Sequence, residues 1–427
     1  MKASWLLLPL ALLTLLSISG GVRADDDDPE FRGRKLSEWV ELLRGDQAGP
    51  PQPVSLLALG SSGSAASERS IWQAGRLQQQ RIGLLAVELI GPGKSRQVFP
   101  AIIAALRNDP EEKVREAAAL SLGRLAGRLL DDFKEAYKKD PTIERKTAVP
   151  LGPVREALVH GLQIDKSPRV REASAGALGK LEWAAKDGVP TLAQALKDSS
   201  PGVRGAAAEA LGRIGPEAAD AFPALQEVLK DTKAEPLMRS QAVQAIGRMG
   251  PDAPVDLELL LNVWHDMAAP AGVRADVAEA LGLLKKTHAA IDLGNELKNH
   301  KNDVAVRRAA VVTLDGFGAA AKPAVSPLRD ALKDDDKFVR ALAMHALGAI
   351  GKDLGTERKG AVEDLLACMS DRVLEVRVAA IETLGALGTD GLGDDLPAVA
   401  ARLADAKRDS QKAVRDAATD ALKKLGK

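Results

Sequence analysis

Residues 203–215 read VRGAAAEALGRIG, an alanine-rich stretch that begins with valine and arginine and ends with glycine. Apolar residues recur in it at helical spacing over three turns, and Gly215 stands where a left-handed cap ends a helix. Pro216 then prevents the helix from continuing. The preceding stretch, from Gly188 to Ser199, carries a second apolar stripe at the same spacing. Together the two segments predict one αα-hairpin.

The valine and arginine at the start of this stretch recur along the chain and mark an internal repeat. Valine precedes the arginine eight times and methionine once, and successive arginines are separated by 56, 33, 35, 35, 33, 33, 37 and 38 residues. Such a period is typical of stacked helical hairpins, because two short helices alone bury too little apolar surface. We therefore predict an all-α fold, a right-handed α-solenoid (superhelix) of about ten two-helix repeats. The nine anchor arginines are Arg115, Arg171, Arg204, Arg239, Arg274, Arg307, Arg340, Arg377 and Arg415.

The stretches at residues 203–215 and 339–351 resemble HEAT repeats, and they are most similar to the short bacterial type found in phycobilin lyases. The resemblance covers residues 96–427 well and residues 35–93 loosely. It implies a HEAT-like solenoid whose second helices line the concave surface. Because such repeats serve mostly as scaffolds, the resemblance is specific for the fold and uninformative about the partner.

The N-terminus has the features of a secretory signal peptide. Lys2 precedes an apolar run from Trp5 to Ile18, and a small-residue cleavage site ends at Ala24. A permanent membrane anchor is the alternative, but about 14 apolar residues fall short of the roughly 20 that a bilayer requires. We expect cleavage after Ala24, export to the periplasm or the cell exterior, and no stable membrane span in the mature chain.

The pattern divides the chain into a signal peptide (1–24), a flexible N-terminus (25–34), an atypical capping repeat (35–93) and the repeat array (94–427). Two insertions interrupt the period. Residues 46–70 are rich in proline, glycine and serine and predict a surface loop. Residues 127–149 place Phe133 and Tyr137 at helical spacing, which predicts an extended or an extra helix. Tolerated insertions and functional segments are both compatible with these patterns.

An arginine at a helix N-terminus opposes the helix dipole, so each anchor arginine is expected to have a carboxylate nearby. An aspartate stands six residues before six of the nine, Asp231 and Asp266 stand eight before theirs, and Asp303 stands four before Arg307. We interpret the set as an Asp–Arg ladder in which each arginine bridges to its own turn or to the neighbouring one. Nine cations lining a binding groove are the alternative. The six aspartates are Asp109, Asp165, Asp198, Asp334, Asp371 and Asp409.

Positions eight and nine after the anchor arginine differ in what they indicate. The eighth residue is glycine in seven repeats, and Asp315 departs from this rule. The ninth is a cation in four successive repeats and in none of the next four, so we predict a basic partner-binding strip. Solvated helix ends near the negative pole of the dipole are the alternative, and acids at the fifth position, such as Glu209 and Glu382, lie close enough to neutralise the strip. The candidate partner-binding residues are Arg124, Lys180, Arg213 and Arg248.

Sequence motifs for catalysis or metal binding are not found. Residues 91–95 read GPGKS like the end of a phosphate-binding loop, but Glu88 stands where that motif requires glycine. The five histidines form no ligand pair at helical spacing. The single Cys368 allows no internal disulfide.

The leading functional interpretation is an exported, non-enzymatic scaffold that binds a protein or peptide partner and needs no cofactor. The alternative, which rests on the resemblance, is a phycobilin-lyase-like cofactor-attachment or chaperone component, and incubation with a tetrapyrrole distinguishes the two. Nucleic acid is not expected as a partner. Removal of Lys2 and Arg23 with the signal leaves 57 basic and 59 acidic residues, a formal charge of −2.

Overall fold

The computed structural model describes residues 30–31, 34–35, 37–38, 40, 95–143, 151–299 and 302–427. Within these ranges the chain forms successive helical hairpins, each with a first and a second helix. The first helices are α1 (Ser95–Asn108), α3 (Gly152–Ile164), α5 (Val189–Ala195), α7 (Phe222–Lys230), α9 (Leu257–His265), α11 (Ala290–Leu297), α13 (Val325–Ala331), α15 (Arg358–Cys368) and α17 (Leu396–Ala406). The second helices are α2 (Glu112–Lys139), α4 (Pro168–Lys180), α6 (Pro201–Ile214), α8 (Pro236–Arg248), α10 (Ala271–Leu283), α12 (Val304–Phe317), α14 (Lys337–Ile350), α16 (Leu374–Leu392) and α18 (Lys412–Lys424).

These hairpins confirm the predicted all-α class and the two-helix repeat. The chain divides into two compact units, one formed by residues 1–191 and 198–210 and the other by residues 192–197 and 211–427. In the first unit α2 packs on α4, and in the second unit α8, α10, α12, α14, α16 and α18 pack each on the next. Each of these second helices therefore has a neighbour of its own kind, as stacked repeats require.

The core consists of the apolar stripe that the repeat pattern predicts. The valine or methionine before each anchor arginine is buried, for example Val114 and Met238. The leucine or isoleucine seven residues after each arginine is buried too, for example Leu211 and Ile246. Burial of each such side chain is worth roughly 1.5–3 kcal/mol. Trp264 fills the largest fully buried position, and its indole N–H donates to the main-chain oxygen of Asp292 at 3.3 Å. Because aromatic residues are only 3% of the chain, most of the buried core consists of alanine, leucine and valine side chains.

Except in the extended helix α2, a left-handed residue stands eleven positions after the anchor arginine, where the second helix ends or breaks. Gly215 has φ 74° and Gly351 has φ 58°, as the predicted cap requires. Lys285 takes the same place with φ 51° although it carries a side chain. Helix α16 is broken at Gly388, where φ is 65°. The cap therefore follows the register of the repeat even where glycine is replaced.

The insertion after Ala126 lengthens helix α2 and adds no separate helix among the described residues. Phe133 is buried on this extension, and its ring centroid lies 5.7 Å from that of Tyr137 and 6.2 Å from that of Trp183. Lys134 Nζ lies 2.7 Å from Glu182 Oε1. The sequence predicts either an extended or an extra helix, and residues 127–139 form an extension of α2. Residues 144–149 of the insertion lie outside the described residues.

Near the N-terminus, Glu30–Phe31 and Arg34–Lys35 form a two-residue antiparallel pair that the sequence pattern did not predict. The signal peptide (1–24), the loop at 46–70 and nearly all of the capping repeat (35–93) lie outside the described residues. Within the part that is described, no helix is both long enough and apolar enough to cross a bilayer.

Candidate partner-binding surface

The anchor arginines connect consecutive repeats through bidentate ion pairs. Arg171 donates from Nε and Nη2 to the two carboxylate oxygens of Asp198, each at 2.8 Å. The carboxylate belongs to the next repeat, whereas Nη1 of the same arginine donates to the main-chain oxygen of Asp165 in its own turn at 3.0 Å. The arginine therefore bridges both turns that the sequence had left as alternatives. The same cross-repeat pairs are Arg115–Asp165, Arg307–Asp334 and Arg340–Asp371.

Each paired aspartate also organises its own turn. Asp198 Oδ1 accepts the backbone N–H of Ser200 at 2.8 Å, and Asp334 Oδ1 accepts that of Asp336 at 2.8 Å. The hydrogen bond from Arg171 holds the pKa of the Asp198 carboxyl below its ordinary value. One aspartate thus closes the turn before the coming helix and receives the arginine of the preceding repeat.

The pairing of arginine with aspartate changes in the middle of the described repeats. Arg274 pairs with Glu296 at 2.8 Å and donates to the main-chain oxygen of Trp264. Arg239 is buried, and its Nε has no hydrogen-bond partner among the described residues. Arg239, Arg274, Arg307 and Arg340 are each less than one tenth exposed. Side chains this deeply buried do not line an open groove, so the geometry of these four arginines favours the framework interpretation over the cationic groove.

A seam of small residues joins the second helices. A Cβ on Gly123 would lie 2.8 Å from the Cα of Ala177, and one on Gly385 would lie 2.8 Å from the Cα of Ala421. The glycine eight positions after the anchor thus packs on the small residue six positions after the next anchor. The ninth side chain lies beside this seam, since Lys180 Cδ is 3.5 Å from where a Cβ of Gly123 would stand. Side-chain size at the seam therefore sets how closely the helices approach.

The four predicted binding cations do not form one described cluster. Arg124 and Lys180 belong to the first unit, and Arg213 and Arg248 belong to the second. Arg124, Arg213 and Arg248 are exposed, and Lys180 is half-buried. Arg124, Lys180 and Arg213 each have an interaction with a neighbouring group. Their role in binding stays a prediction.

A cavity of about 450 Å³ opens on the second helices of the second unit. Helices α12, α14, α16 and α18 all contribute to its wall, and the charged and polar lining includes Asp315, His345, Glu382, Asp420 and Lys424. Asp315 stands where most repeats have the seam glycine. Burial raises the pKa of the Asp315 carboxyl, and the charge of His345 opposes that shift. The departure of Asp315 from glycine is visible in the sequence, whereas its place in a cavity is not.

A buried hydroxyl also lines this cavity. Thr383 is 2% exposed, and its Oγ1 has no hydrogen-bond partner among the described residues. Thr313 occupies the same register in an earlier repeat, and its Oγ1 donates to the main-chain oxygen of Ala278 at 2.9 Å. The two threonines are thus alike in sequence position and different in hydrogen bonding.

The described residues contain no group of three His, Cys, Asp or Glu side chains that could hold a metal ion. Burial, with the nearby carboxylates of Asp371 and Asp364, raises the pKa of the Cys368 thiol to about 11. Cys368 is therefore a protonated thiol at neutral pH and a weak nucleophile.

Comparison with protein families identifies HEAT repeats in the chain. A family model described as HEAT repeats matches residues 155–246 and 292–359, and one described as HEAT repeat matches residues 98–129. The HEAT resemblance is therefore confirmed at the level of the repeat. Comparison with curated proteins gave no significant match.

Solved structures with the same architecture have low sequence identity to this chain. An engineered protein matches with a TM-score of 0.50 and 18% identity over 92% of this chain and 99% of its own. A chain from the structure of Kap95p with RanGDP has a TM-score of 0.54 and 15% identity over 92% of this chain and 55% of its own. A chain from the structure of Kap121p bound to Pho4p has a TM-score of 0.50 and 14% identity over 84% and 44%, respectively. This chain spans about half the length of the latter two, and the likeness shows the solenoid fold.

Proposed function

We propose that the protein is an exported, non-enzymatic scaffold that binds a protein or peptide partner on the surface of its second helices. The observation that carries this proposal is the cavity of about 450 Å³ whose wall comes from four successive second helices. A wall assembled from several repeats presents side chains in a row, which suits an extended polypeptide.

The solved structures with this fold support a protein partner. Kap95p is seen with RanGDP in work on nuclear import complex assembly, and Kap121p is bound to Pho4p. Both use a stack of helices of this architecture beside another protein. The proposal transfers only the class of partner, a protein, to this chain.

Export is a separate part of the proposal and rests on the N-terminal sequence. We propose that cleavage after Ala24 yields a mature chain beginning at Asp25 and that this chain acts in the periplasm or outside the cell. Expression of the full chain with its leader, followed by N-terminal sequencing of the secreted or periplasmic product, is expected to read Asp25 first. An uncleaved chain in the cytosol would overturn this part alone.

Binding at the second helices can be tested with a photo-crosslinking amino acid at single positions. Ala386 is exposed on α16 beside the cavity, and Glu363 is exposed on α15, the first helix of the same repeat. A crosslinker at position 386 is expected to capture a defined partner from the exported fraction, whereas the one at position 363 captures none. Equal capture from both positions, or none from either, would contradict the proposed surface.

We expect no nucleic acid as the partner because the mature chain has a formal charge of −2. Filter binding of labelled single- and double-stranded DNA and RNA at 50 and 200 mM salt tests this exclusion. Retention that falls steeply with salt would show phosphate contacts and would contradict it.

A further inference from the structure

The cavity on α12, α14, α16 and α18 carries an excess of negative charge that the described chain does not neutralise. Its lining contains three carboxyl groups, those of Asp315, Glu382 and Asp420. The basic groups in the lining are the ammonium of Lys424 and the imidazole of His345. Neither the three carboxyl groups nor Lys424 forms an ion pair within the described ranges, whereas several arginines of the ladder pair with aspartates. Unpaired acids gathered around a recess attract a cation from outside.

Thr383 supplies an observation that is independent of charge. Thr383 is only 2% exposed and lines the cavity. Its hydroxyl has no hydrogen-bond partner in the described part of the chain. Buried hydroxyl groups in proteins are normally hydrogen-bonded. A donor bound in the cavity beside Thr383 would supply the partner that this hydroxyl lacks.

The shape of the cavity restricts what enters. Its remaining lining is small, with Gly348, Ala349, Ala386 and Ala417 among the residues that form it. Methyl groups and bare backbone offer apolar contact for a long methylene stem, whereas the carboxylates offer acceptors for its charged end. A guanidinium presents five donors in a planar fork, which suits several acceptors better than the single ammonium of lysine.

We propose that this cavity binds an arginine-bearing, extended segment of the protein partner. Arginine side chains lie along the alanine and glycine surface, and their guanidinium groups pair with Glu382, Asp420 and Asp315. The Thr383 hydroxyl accepts one further N–H. This inference rests on the proposed function and names the chemistry of the partner.

The test measures binding of a fluorescent nona-arginine peptide to the full chain by anisotropy at 150 mM salt. Wild-type protein is expected to bind it, and Glu382→Gln is expected to weaken binding at least fivefold. Glu279→Gln is the matched control, because Glu279 is exposed at the same register of α10 and does not line the cavity. It is expected to change the dissociation constant by less than twofold. Equal effects of the two variants would show general charge attraction and would overturn the proposal.

Two further measurements separate arginine recognition from charge and from folding. A peptide with citrulline in place of arginine is expected to lose binding, and nona-lysine is expected to bind at least threefold more weakly than nona-arginine. Thr383→Val is expected to weaken nona-arginine binding about threefold with an unchanged or raised thermal midpoint. No binding by wild type, equal binding of the citrulline peptide, or unaltered binding by Thr383→Val would each overturn the assignment.

Failure of this proposal is distinguishable from failure of the scaffold proposal. If the crosslinker at position 386 captures a partner and Glu382→Gln leaves that capture and the peptide affinity unchanged, the surface is correct and the arginine assignment is wrong. If the crosslinker at position 386 captures no partner and the peptide does not bind, both proposals are wrong.

Discussion

At the scale of single residues, the aspartates of the ladder are unequal although the sequence repeats them. The Asp334 side chain is wholly buried and pairs with Arg307, which is itself 7% exposed. Asp409 stands at the same register in the last repeat, and its carboxylate accepts the backbone N–H of Gln411 at 2.8 Å. It makes no ion pair within the described chain. Aspartates at the same position of the repeat are therefore expected to contribute differently to the free energy of unfolding.

Replacement of Asp334 by alanine is expected to lower the free energy of unfolding by about 3–5 kcal/mol, because it leaves the buried Arg307 guanidinium without a counter-charge. Asp409→Ala is the matched control and is expected to cost at most about 1 kcal/mol. Urea unfolding followed by circular dichroism provides the measurement. The double replacement Arg307→Met with Asp334→Leu is expected to recover most of the loss. Similar losses for Asp334→Ala and Asp409→Ala would contradict the ladder as an energetic framework.

Asp315 is expected to reduce stability at neutral pH. Its pKa is raised by burial, so the folded state holds the proton more tightly than the unfolded state, and stability falls as pH rises through this window. Asp315→Asn is therefore expected to raise the thermal midpoint at pH 7 and to lose this advantage as the pH falls to 4. Asp420→Asn removes an exposed carboxyl from the same cavity and controls for general charge. An advantage of Asp315→Asn that is the same at pH 7 and pH 4 would contradict the burial argument.

At the scale of helices, the seam glycines decide how closely α16 and α18 approach. A Cβ at Gly385 would meet the Cα and Cβ of Ala421 at 2.8 Å, and backbone cannot move aside as a flexible side chain can. Gly316 on α12 has no heavy atom within 4 Å of such a Cβ. Chemically identical substitutions at these two positions thus have opposite expected signs.

Gly385→Ala is expected to destabilise the protein by roughly 1–3 kcal/mol, because the added methyl group overpacks the helix contact. Gly316→Ala is expected to stabilise it by up to about 1 kcal/mol, because alanine is the better helix former and the space is open. Thermal unfolding of both variants checks the pair. A stabilising Gly385→Ala would show that the seam is looser than its 2.8 Å contacts indicate.

The repeat framework could be predicted from sequence because its signals are local and periodic. The valine before each arginine, the seam glycine and the cap at Gly215 all follow from helical spacing. The carboxylate that pairs with each arginine could not be predicted. The aspartate in the same turn and the aspartate in the next repeat both fit the sequence spacing, and only the packing of the repeats distinguishes them. The cavity cannot be predicted for the same reason. The sequence shows that Asp315 replaces the seam glycine, but only the stacked helices place it near Glu382 and Asp420.

At the scale of the whole molecule, stacked repeats limit how far a local change travels. The second helices contact their immediate neighbours within each unit, so stability is close to a sum of repeat and interface contributions. The pair of Arg307 and Asp334 joins α12 to the turn that precedes α14. Loss of this pair should therefore loosen those two helices before it affects distant ones.

Hydrogen exchange on Asp334→Ala tests this locality. Slowly exchanging amides in α12 and α14 are expected to lose about two to four orders of magnitude of protection, because a local loss of about 3–5 kcal/mol enters the opening equilibrium directly. Amides in α2 and α4 of the first unit are expected to keep their wild-type rates, and those in α18 are expected to change less than those in α14. Asp409→Ala provides the reciprocal control, with any effect confined to α18 and the turn before it. A uniform loss of protection in both units would show that the chain opens as one cooperative body, and the partner surface would then be coupled to every repeat.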